Sequence, residues 1–153
     1  MDKLFSFVLP AYKAHFLKEA IDSILAQTYT NFELIIVNDA SPEDLNSIVG
    51  SYDDSRIRYY VNKNNIGGRD LVAQWNYSIT YAKGEYLILA SDDDIYHSAF
   101  LAKMNTLIKK YPEVNLFRPR TQRIDAINNI IHVDGIMPEL TSPSEFAYCM
   151  GIV

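Results

Sequence analysis

The chain has 153 residues, 48% hydrophobic and 22% charged, so it is long and apolar enough for a domain with a buried core and is unlike a disordered segment. Its formal net charge of −5 argues against a surface for nucleic acid or anionic lipid, because both require basic patches. The single cysteine, Cys149, permits no internal disulfide and no run approaches a membrane-spanning length, so we expect a cytoplasmic protein.

Short apolar runs alternate with amphipathic segments along most of the chain. The predicted strands are 4–9, 32–37, 57–61 and 86–90, and Pro10 is expected to end the first of them. The predicted helices are 16–27, 71–81, 98–110 and one that begins at Ser41, with Ser41 as N-cap and Pro42 at the first helical position. This alternation predicts an α/β fold with a mainly parallel, doubly wound sheet flanked by helices.

The pattern changes after Pro112. Residues 114–117 and 122–124 are expected to be extended, and Asn128-Asn129 predicts a hairpin into residues 130–133. The run from Ser142 to Glu145 repeats the helix-start pattern. Because this helix would have only about two turns before residue 153, we expect the chain to be C-terminally truncated.

Polar and aromatic residues follow each predicted strand, at the edge where parallel α/β sheets bind ligands. Tyr12 offers a flat face to a nucleotide base, and Asp39 can accept hydrogen bonds from a base edge if Ser41 already caps the next helix. After the fourth strand come three successive aspartates, of which Asp92 can hold ribose hydroxyls. Asp93 or Asp94 can bind a divalent cation that carries a diphosphate, since Mg²⁺ and Mn²⁺ prefer oxygen ligands. A packed Tyr12 and a solvated acidic turn are the alternatives.

Other phosphate and metal sites fit the sequence less well. The first strand is followed by Pro10-Ala11-Tyr12-Lys13, where a dinucleotide fold would have G-x-G-x-x-G, and the chain has no P-loop sequence. One cysteine and three scattered histidines do not have the spacing of a structural zinc site. His97, three residues past Asp94, stays open as a further metal ligand.

Several ordered motifs in residues 4–111 together resemble family 2 glycosyltransferases of the GT-A, Rossmann-like fold. The motifs are Phe7-Val8-Leu9-Pro10-Ala11-Tyr12, Leu34-Ile35-Ile36-Val37-Asn38-Asp39, Asn65-Ile66-Gly67, Ala82-Lys83-Gly84-Glu85-Tyr86 and Ser91-Asp92-Asp93-Asp94. The resemblance implies a metal-dependent transfer of a sugar from a nucleotide-diphospho-sugar, most often a UDP-sugar, to a saccharide or other hydroxyl acceptor. It also implies Mn²⁺ or Mg²⁺ as cofactor and a role in cell-surface polysaccharide biosynthesis.

The resemblance implies a role for each of eight residues in the sequence. Seven of them would contact the nucleotide-sugar or its metal: Pro10, Ala11, Tyr12 against the base, Asp39 at the base edge, Asp92 near the ribose, and Asp93 with Asp94 at the metal. Arg69 would approach the donor, although residues 67–76 depart from the small-residue pattern of the family. Ser91 stands where the usual D-x-D motif has its first aspartate, which puts the ribose role of Asp92 in question.

The resemblance also divides the chain. Residues 1–153 would form a single nucleotide-sugar-binding domain, with a donor-binding core in 1–111 and the start of an acceptor-side region in 112–153. Inverting members use a carboxylate base that lies further along the chain. The acids available here are Asp134, Glu139 and Glu145, and none stands in a matching motif, so no base is assigned.

Two other functions remain open from sequence. A nucleotidyltransferase would also use a metal and an aspartate, but its basic, glycine-rich phosphate loop is not found after the first strand. A non-catalytic nucleotide-sugar-binding module would explain the missing base. The sequence leaves open a peripheral membrane association and does not indicate the oligomeric state.

Overall fold

The computed structural model describes residues 3–136 and 138–142, and strands alternate with helices as the apolar pattern predicts. The chain divides into two units, Met1–Glu113 and Val114–Val153. The strands are β1 (Phe5–Ala11), β2 (Phe32–Asn38), β3 (Ile57–Val61), β4 (Tyr86–Leu89), β5 (Gln122–Ile124) and β6 (Ile130–Val133). The helices are α1 (Leu17–Leu25), α2 (Leu45–Gly50), α3 (Leu71–Ile79) and α4 (Phe100–Lys110). The helix predicted after Ser142, with Glu145 and Cys149, falls outside the described residues.

The first unit is built on a parallel sheet with the strand order β3-β2-β1-β4. Strand order runs outward from β1 to β3 and then reverses, because β4 pairs with β1 on its other side. Right-handed crossovers then place α1 and α2 on one face and α3 on the other. The reversal creates a switch point at the carboxyl ends of β1 and β4, which is where open α/β sheets bind ligands. The predicted mainly parallel α/β sheet is confirmed.

The two central strands supply most of the core of this unit. All seven residues of β2 are buried, and six of the seven residues of β1 are buried as well. Helix α1 packs its Leu17, Ile21 and Ile24 side chains inward, at the spacing that predicted the helix. Each such side chain stabilises the fold by roughly 1.5–3 kcal/mol relative to an exposed position.

Strand β4 is apolar in sequence but is not fully buried. Its side chains alternate in burial, and Leu87 and Leu89 remain 40% and 38% exposed. The reason is its position: within the described residues β4 pairs only with β1 and forms an edge of the sheet.

Pro10 lies inside β1, contrary to the prediction that it ends the strand. The Ala90 N–H donates to the Val8 carbonyl at 2.8 Å, so Val8, and two residues later Pro10, direct their backbone polar groups toward the β4 side. Strand β4 has already ended at Leu89 there. The missing N–H of Pro10 therefore removes no ladder hydrogen bond.

The predicted cap of the second helix was wrong. Helix α2 begins at Leu45, and its N-cap is Asp44, whose carboxylate accepts from the Ser47 N–H at 3.0 Å. The Ser41 hydroxyl instead donates to the Tyr12 carbonyl at 2.5 Å, after Ala40 has turned the chain with φ of 52°. Ser41 therefore stabilises the end of β1, and its oxygen accepts from the Glu43 N–H at 3.0 Å, in the turn before the helix.

The second unit contains the predicted hairpin of β5 and β6, which are antiparallel. Asn128 in its turn has a positive φ of 65°, a conformation that asparagine tolerates better than most residues. The Asp125 carboxylate closes the turn by accepting from the N–H groups of Ile127 at 3.0 Å and Asn129 at 2.9 Å. Residues 114–117, expected to be extended, form no strand.

Candidate functional site

An open cavity of about 610 Å³ lies at the carboxyl edge of the sheet in the first unit. This volume falls in the range typical of ligand pockets. The lining includes six residues that the sequence predicted for a site: Pro10, Ala11, Tyr12, Asp39, Asp92 and Asp94. These residues lie at the carboxyl end of β1 or follow β1, β2 and β4, so the parallel topology brings together side chains that are as much as 84 positions apart in sequence (94 − 10).

Tyr12 is held through its backbone and leaves its ring accessible. Its N–H donates to Asp92 Oδ2 at 2.8 Å, and its carbonyl accepts from the Ser41 hydroxyl. The same Asp92 oxygen accepts from the Lys13 N–H, also at 2.8 Å. The side chain of Tyr12 is 42% exposed beside the cavity. A fixed backbone with an exposed ring is suited to stacking against a flat ligand.

Asp39 is 4% exposed and organises the loop between β3 and α3. Its Oδ2 accepts from the Gly67 N–H at 2.7 Å, and its Oδ1 accepts from the Ile66 N–H at 3.0 Å and from Asn62 Nδ2 at 2.7 Å. These three donors compensate for the burial of the carboxylate. The loop is therefore folded onto Asp39, which lines the cavity at the same time.

Gly67 lies so close to Asp39 that a larger residue would crowd it. A Cβ at position 67 would lie 3.1 Å from Asp39 Oδ2 and 3.6 Å from two side-chain carbons of Gln74. Glycine at this position permits the close approach of the loop backbone to the carboxylate and to helix α3.

The three aspartates after β4 have different surroundings. Asp92 is bound to the end of β1, whereas Asp93 is exposed and accepts from the Ser91 hydroxyl at 2.6 Å. Asp94 lines the cavity, but Asp93 does not. Partial burial, together with the charges of Asp93 and Asp92, raises the pKa of Asp94 above its ordinary value. A cation placed between these carboxylates would relieve their repulsion.

The carboxylates around the cavity fit a hard divalent cation whose remaining ligands come from the phosphates of a bound nucleotide. No group of three or more histidine, cysteine or acidic side chains that could bind a metal occurs in residues 3–136 and 138–142. Mg²⁺ and similar ions are commonly held by only one or two carboxylates together with substrate phosphates. Asp94 on the cavity wall, with Asp93 next to it in the sequence, meets that smaller requirement.

Two further residues that the sequence analysis considered, Arg69 and His97, do not line the cavity. Arg69 is exposed and does not line the cavity, although its N–H donates to the Ile66 carbonyl at 3.0 Å within the ordered loop. His97 is also exposed, and its Nδ1 accepts from the Ala99 N–H at 3.1 Å at the start of α4. This contact engages Nδ1 of His97 in the turn that precedes α4, and His97 does not line the cavity.

Asp134, one of the acids available as a catalytic base, is held by hydrogen bonds within the second unit. Its Oδ2 accepts from the Thr121 hydroxyl at 2.5 Å and lies 3.5 Å from an Arg118 nitrogen. These contacts hold the pKa of Asp134 below its ordinary value, which makes it a weak proton acceptor. Glu139 stands in no matching motif, and Glu145 lies outside the described residues.

Nine lining residues were not among the sequence-predicted site residues. Leu89, Ala90 and Ser91 lie at or just after the end of β4. The other six come from the loop and helix after β3 and are Asn65, Gly67, Gly68, Leu71, Gln74 and Trp75. The sequence did carry a signal that could have found Gln74. Gln74 and Ser78 place polar groups on one helical face, and these two are the buried residues of α3. A polar residue on the buried face of a helix calls for a partner.

Within the described residues, no helix is both long and apolar enough to cross a membrane. The longest helix there is α4, with 11 residues, and it carries Lys109 and Lys110 in its last turn.

The chain is similar to two curated bacterial proteins over about three fifths of its length. It is 44% identical over 95 residues to an uncharacterized glycosyltransferase of Rickettsia typhi, covering 61% of this chain and 28% of that protein. It is 34% identical over 99 residues to the Escherichia coli UDP-Glc:alpha-D-GlcNAc-diphosphoundecaprenol beta-1,3-glucosyltransferase WfgD, covering 62% of this chain and 37% of that protein. The chain therefore spans well under half the length of these relatives.

Solved structures share the fold over 71% of this chain. TarS of Staphylococcus aureus in complex with UDP-GlcNAc matches with a TM-score of 0.65 and 24% identity, over 32% of that chain. The mannosyltransferase PcManGT of Pyrobaculum calidifontis in complex with GDP-Man and Mn²⁺ matches with a TM-score of 0.58 and 19% identity, also over 32% of that chain. The model of the family described as Glycosyl transferase family 2 matches residues 6–147, and the chain belongs to this family.

Proposed function

We propose that this chain is the donor-binding part of a metal-dependent, inverting glycosyltransferase that uses a UDP-sugar and a hydroxyl acceptor. The observation that carries the proposal is the cavity at the carboxyl ends of β1, β2 and β4, which brings Tyr12, Asp39 and Asp92 together in a member of this family. The aromatic face of Tyr12 and the buried acceptor Asp39 suit a base, and the carboxylates after β4 suit the ribose and metal-bound phosphates.

The relatives support a nucleotide-sugar as the donor. TarS has been solved with UDP and with UDP-GlcNAc, and the name of WfgD specifies UDP-Glc. PcManGT has been solved with GDP-Man, so the fold also accommodates a guanine nucleotide. The preference for UDP in this chain is part of our proposal.

Each predicted residue has a proposed role. The Tyr12 ring lies against the base, Asp39 accepts from the base edge, and Pro10 and Ala11 form the adjoining wall. Asp92 uses Oδ2 to hold the end of β1, which leaves Oδ1 for a ribose hydroxyl. Arg69 is proposed to approach the donor from the ordered loop, although it is not part of the cavity wall as it stands.

Asp93 and Asp94 are the proposed metal-binding residues. Their carboxylates are hard oxygen ligands, and the raised pKa of Asp94 reflects burial and like charges that a cation would offset. When bound, Mn²⁺ or Mg²⁺ would stabilise the negative charge that develops on the departing diphosphate.

The remaining chemistry is a displacement at the sugar. The acceptor hydroxyl oxygen forms a bond to the anomeric carbon as the bond to the diphosphate oxygen breaks, and the hydroxyl proton passes to a carboxylate base. Asp134 is a poor candidate for that base, and we assign none within the described residues. Tyr12, Asp39 and Asp92 bind and orient the donor in this scheme.

Titration calorimetry tests the proposal directly. UDP and UDP-sugars should bind this chain more tightly than nucleoside triphosphates, and Mn²⁺ should strengthen their binding. Tighter binding of triphosphates would favour a nucleotidyltransferase, and absence of any nucleotide binding would reject the proposal.

Turnover distinguishes an enzyme from a binding module. Donor hydrolysis and sugar transfer should be measured for this chain and for a C-terminally longer version. Activity in the longer version supports a transferase whose base lies outside this chain, whereas binding without turnover in both supports a non-catalytic module. We propose three further properties together with this function. They are a division into a donor core and an acceptor-side region, a cytoplasmic location and a role in cell-surface polysaccharide synthesis.

A further inference from the structure

Gln74 is a buried polar side chain on the cavity wall with a donor atom that has no partner. The residue is 1% exposed, and its Nε2 makes no hydrogen bond within the described part of the chain. Buried amide groups are almost always hydrogen-bonded, because an unpaired one has lost its contacts with water without replacement. An unpaired N–H donor on a residue of the cavity wall is available to an acceptor that a ligand supplies.

The neighbouring hydrogen bonds determine which end of the Gln74 amide is the donor. An ionised carboxylate only accepts, so the Asn62 atom 2.7 Å from Asp39 Oδ1 must be the amide nitrogen Nδ2. That nitrogen also lies 3.1 Å from Gln74 Oε1, which must therefore be the acceptor. The network leaves Nε2 as the free end and excludes a flipped amide.

Asp39 provides an acceptor in the same network. A carboxylate has about four lone-pair sites. Three donors occupy Asp39: Asn62 Nδ2 and the N–H groups of Ile66 and Gly67. The Ile66 N–H is shared between Oδ1 at 3.0 Å and Oδ2 at 3.1 Å. With three donors on four lone-pair sites, the carboxylate has room for one more. Asn62 thus links two residues of the cavity wall, Asp39, which offers an acceptor, and Gln74, whose Nε2 is the unpaired donor.

We propose that Gln74 is a specificity-determining residue for the base of the donor nucleotide. Its Nε2 donates to a ring carbonyl oxygen while Asp39 accepts from the adjacent ring N–H. Uracil and guanine both present a ring N–H beside a carbonyl, whereas cytosine and adenine present the opposite arrangement, an unprotonated ring nitrogen beside an amino group. A site that places a donor beside an acceptor rejects the reversed arrangement, because its polar groups would be left unpaired. This inference rests on the proposed function.

Binding of UDP, GDP and CDP to the wild-type chain and to Gln74→Met tests the inference. Methionine has a similar length and no hydrogen-bond donor. For the wild type, the better of UDP and GDP should bind at least about tenfold more tightly than CDP. Gln74→Met should raise the Kd of that nucleotide about five- to tenfold and change the Kd of CDP less than about twofold.

Ser78→Ala is the matched control, because Ser78 is fully buried on the same helix, donates to the Gln74 carbonyl at 2.9 Å and does not line the cavity. It should leave the ratio of Kd values unchanged even if it lowers the melting temperature. Equal weakening of all three nucleotides by Gln74→Met, or wild-type CDP binding as tight as UDP or GDP, overturns the inference. A wild-type chain that binds none of them overturns the proposed function itself.

Discussion

The Asp92 carboxylate accepts a hydrogen bond from the Tyr12 N–H at 2.8 Å and so joins the end of β4 to the end of β1. The two residues are 80 positions apart, and both line the cavity. Asp92 therefore has a structural role at the site as well as the proposed contact with ribose. Its Oδ1 has no hydrogen-bond partner among the described residues, which leaves that oxygen for a ligand.

Asp92→Ala should lower the free energy of unfolding by about 1–2 kcal/mol, because the N–H groups of Tyr12 and Lys13 lose a charged acceptor. Urea denaturation measures this difference. Asp53→Ala is the control, since Asp53 is an exposed acid with no hydrogen bond in the described structure, and it should change stability by less than about 0.5 kcal/mol. Equal effects of the two variants would contradict a structural role for Asp92.

Glu33→Ala should lower the free energy of unfolding by roughly 3–5 kcal/mol, which is more than we expect for Asp92→Ala. Glu33 is 8% exposed and accepts from the Ser6 hydroxyl at 2.7 Å, from the Lys83 N–H at 2.6 Å and from Arg58 at 2.7 Å. Its loss removes the carboxylate beside the Arg58 guanidinium, which keeps the Tyr81 carbonyl and the Tyr60 hydroxyl as acceptors. It also leaves the Ser6 hydroxyl and the Lys83 N–H without the acceptor that Glu33 provides. Thermal or urea unfolding tests this, and a cost below about 1 kcal/mol would show that water replaces the carboxylate.

Stability should also depend on the ionisation of Glu33. Burial raises the pKa of Glu33, but the hydrogen bonds from Ser6, Lys83 and Arg58 outweigh burial and bring it below the ordinary value of 4.5. The folded state therefore favours the ionised form. The resulting stabilisation is complete above about pH 4.5 and disappears as the pH falls through the lowered pKa. The stability advantage of the wild type over Glu33→Gln should shrink over that acid range, and an advantage independent of pH would be the opposite result.

Gly67→Ala should weaken UDP binding several-fold, because the added Cβ would lie 3.1 Å from Asp39 Oδ2 and displace the carboxylate or the loop. Calorimetry with UDP measures the effect. Gly50→Ala is the matched control, since a Cβ there has no atom within 4 Å and the residue ends α2. The control should leave UDP affinity unchanged, and equal affinity of both variants for UDP would contradict a role for the Asp39 loop in binding.

Asp93→Asn should reduce the gain in UDP affinity that Mn²⁺ provides, by about tenfold or more if the carboxylate binds the metal. Asp94→Asn, the neighbouring substitution, should have a similar effect because Asp94 lines the cavity. Calorimetry with and without Mn²⁺ separates the two residues. Loss of the metal effect in Asp94→Asn alone would assign the metal to Asp94 and show that the assignment of Asp93 was wrong.

The fold was largely predictable because its signals are local. An all-apolar run such as β2 and the three-and-four spacing of α1 each depend on neighbouring residues, and their alternation indicates a parallel sheet. The cap of α2 was misassigned for the opposite reason. Ser41 has the right local pattern, but its hydroxyl donates to the Tyr12 carbonyl, 29 positions away in sequence, and the helix begins only at Leu45.

The site was predictable in outline because its position follows from the order of the strands. Parallel strands end at one edge, so the residues that follow β1, β2 and β4 were expected to meet there, and six predicted residues line one cavity. Their proposed roles in binding stay predictions. Arg69 and Asp93 lie off the cavity wall, because their positions depend on loop geometry that strand order does not specify.

The sequence by itself determined the class of fold, the family resemblance and the edge of the sheet at which a ligand should bind. Only the tertiary structure decided which polar atoms are already paired and which are free. Asp39, Asn62 and Gln74 are spread over 36 positions (74 − 39 + 1), and their hydrogen bonds form only when β2, the loop after β3 and helix α3 are packed together. Hydrogen bonding depends on distances of about 3 Å between atoms, and such distances between remote residues are properties of the folded chain.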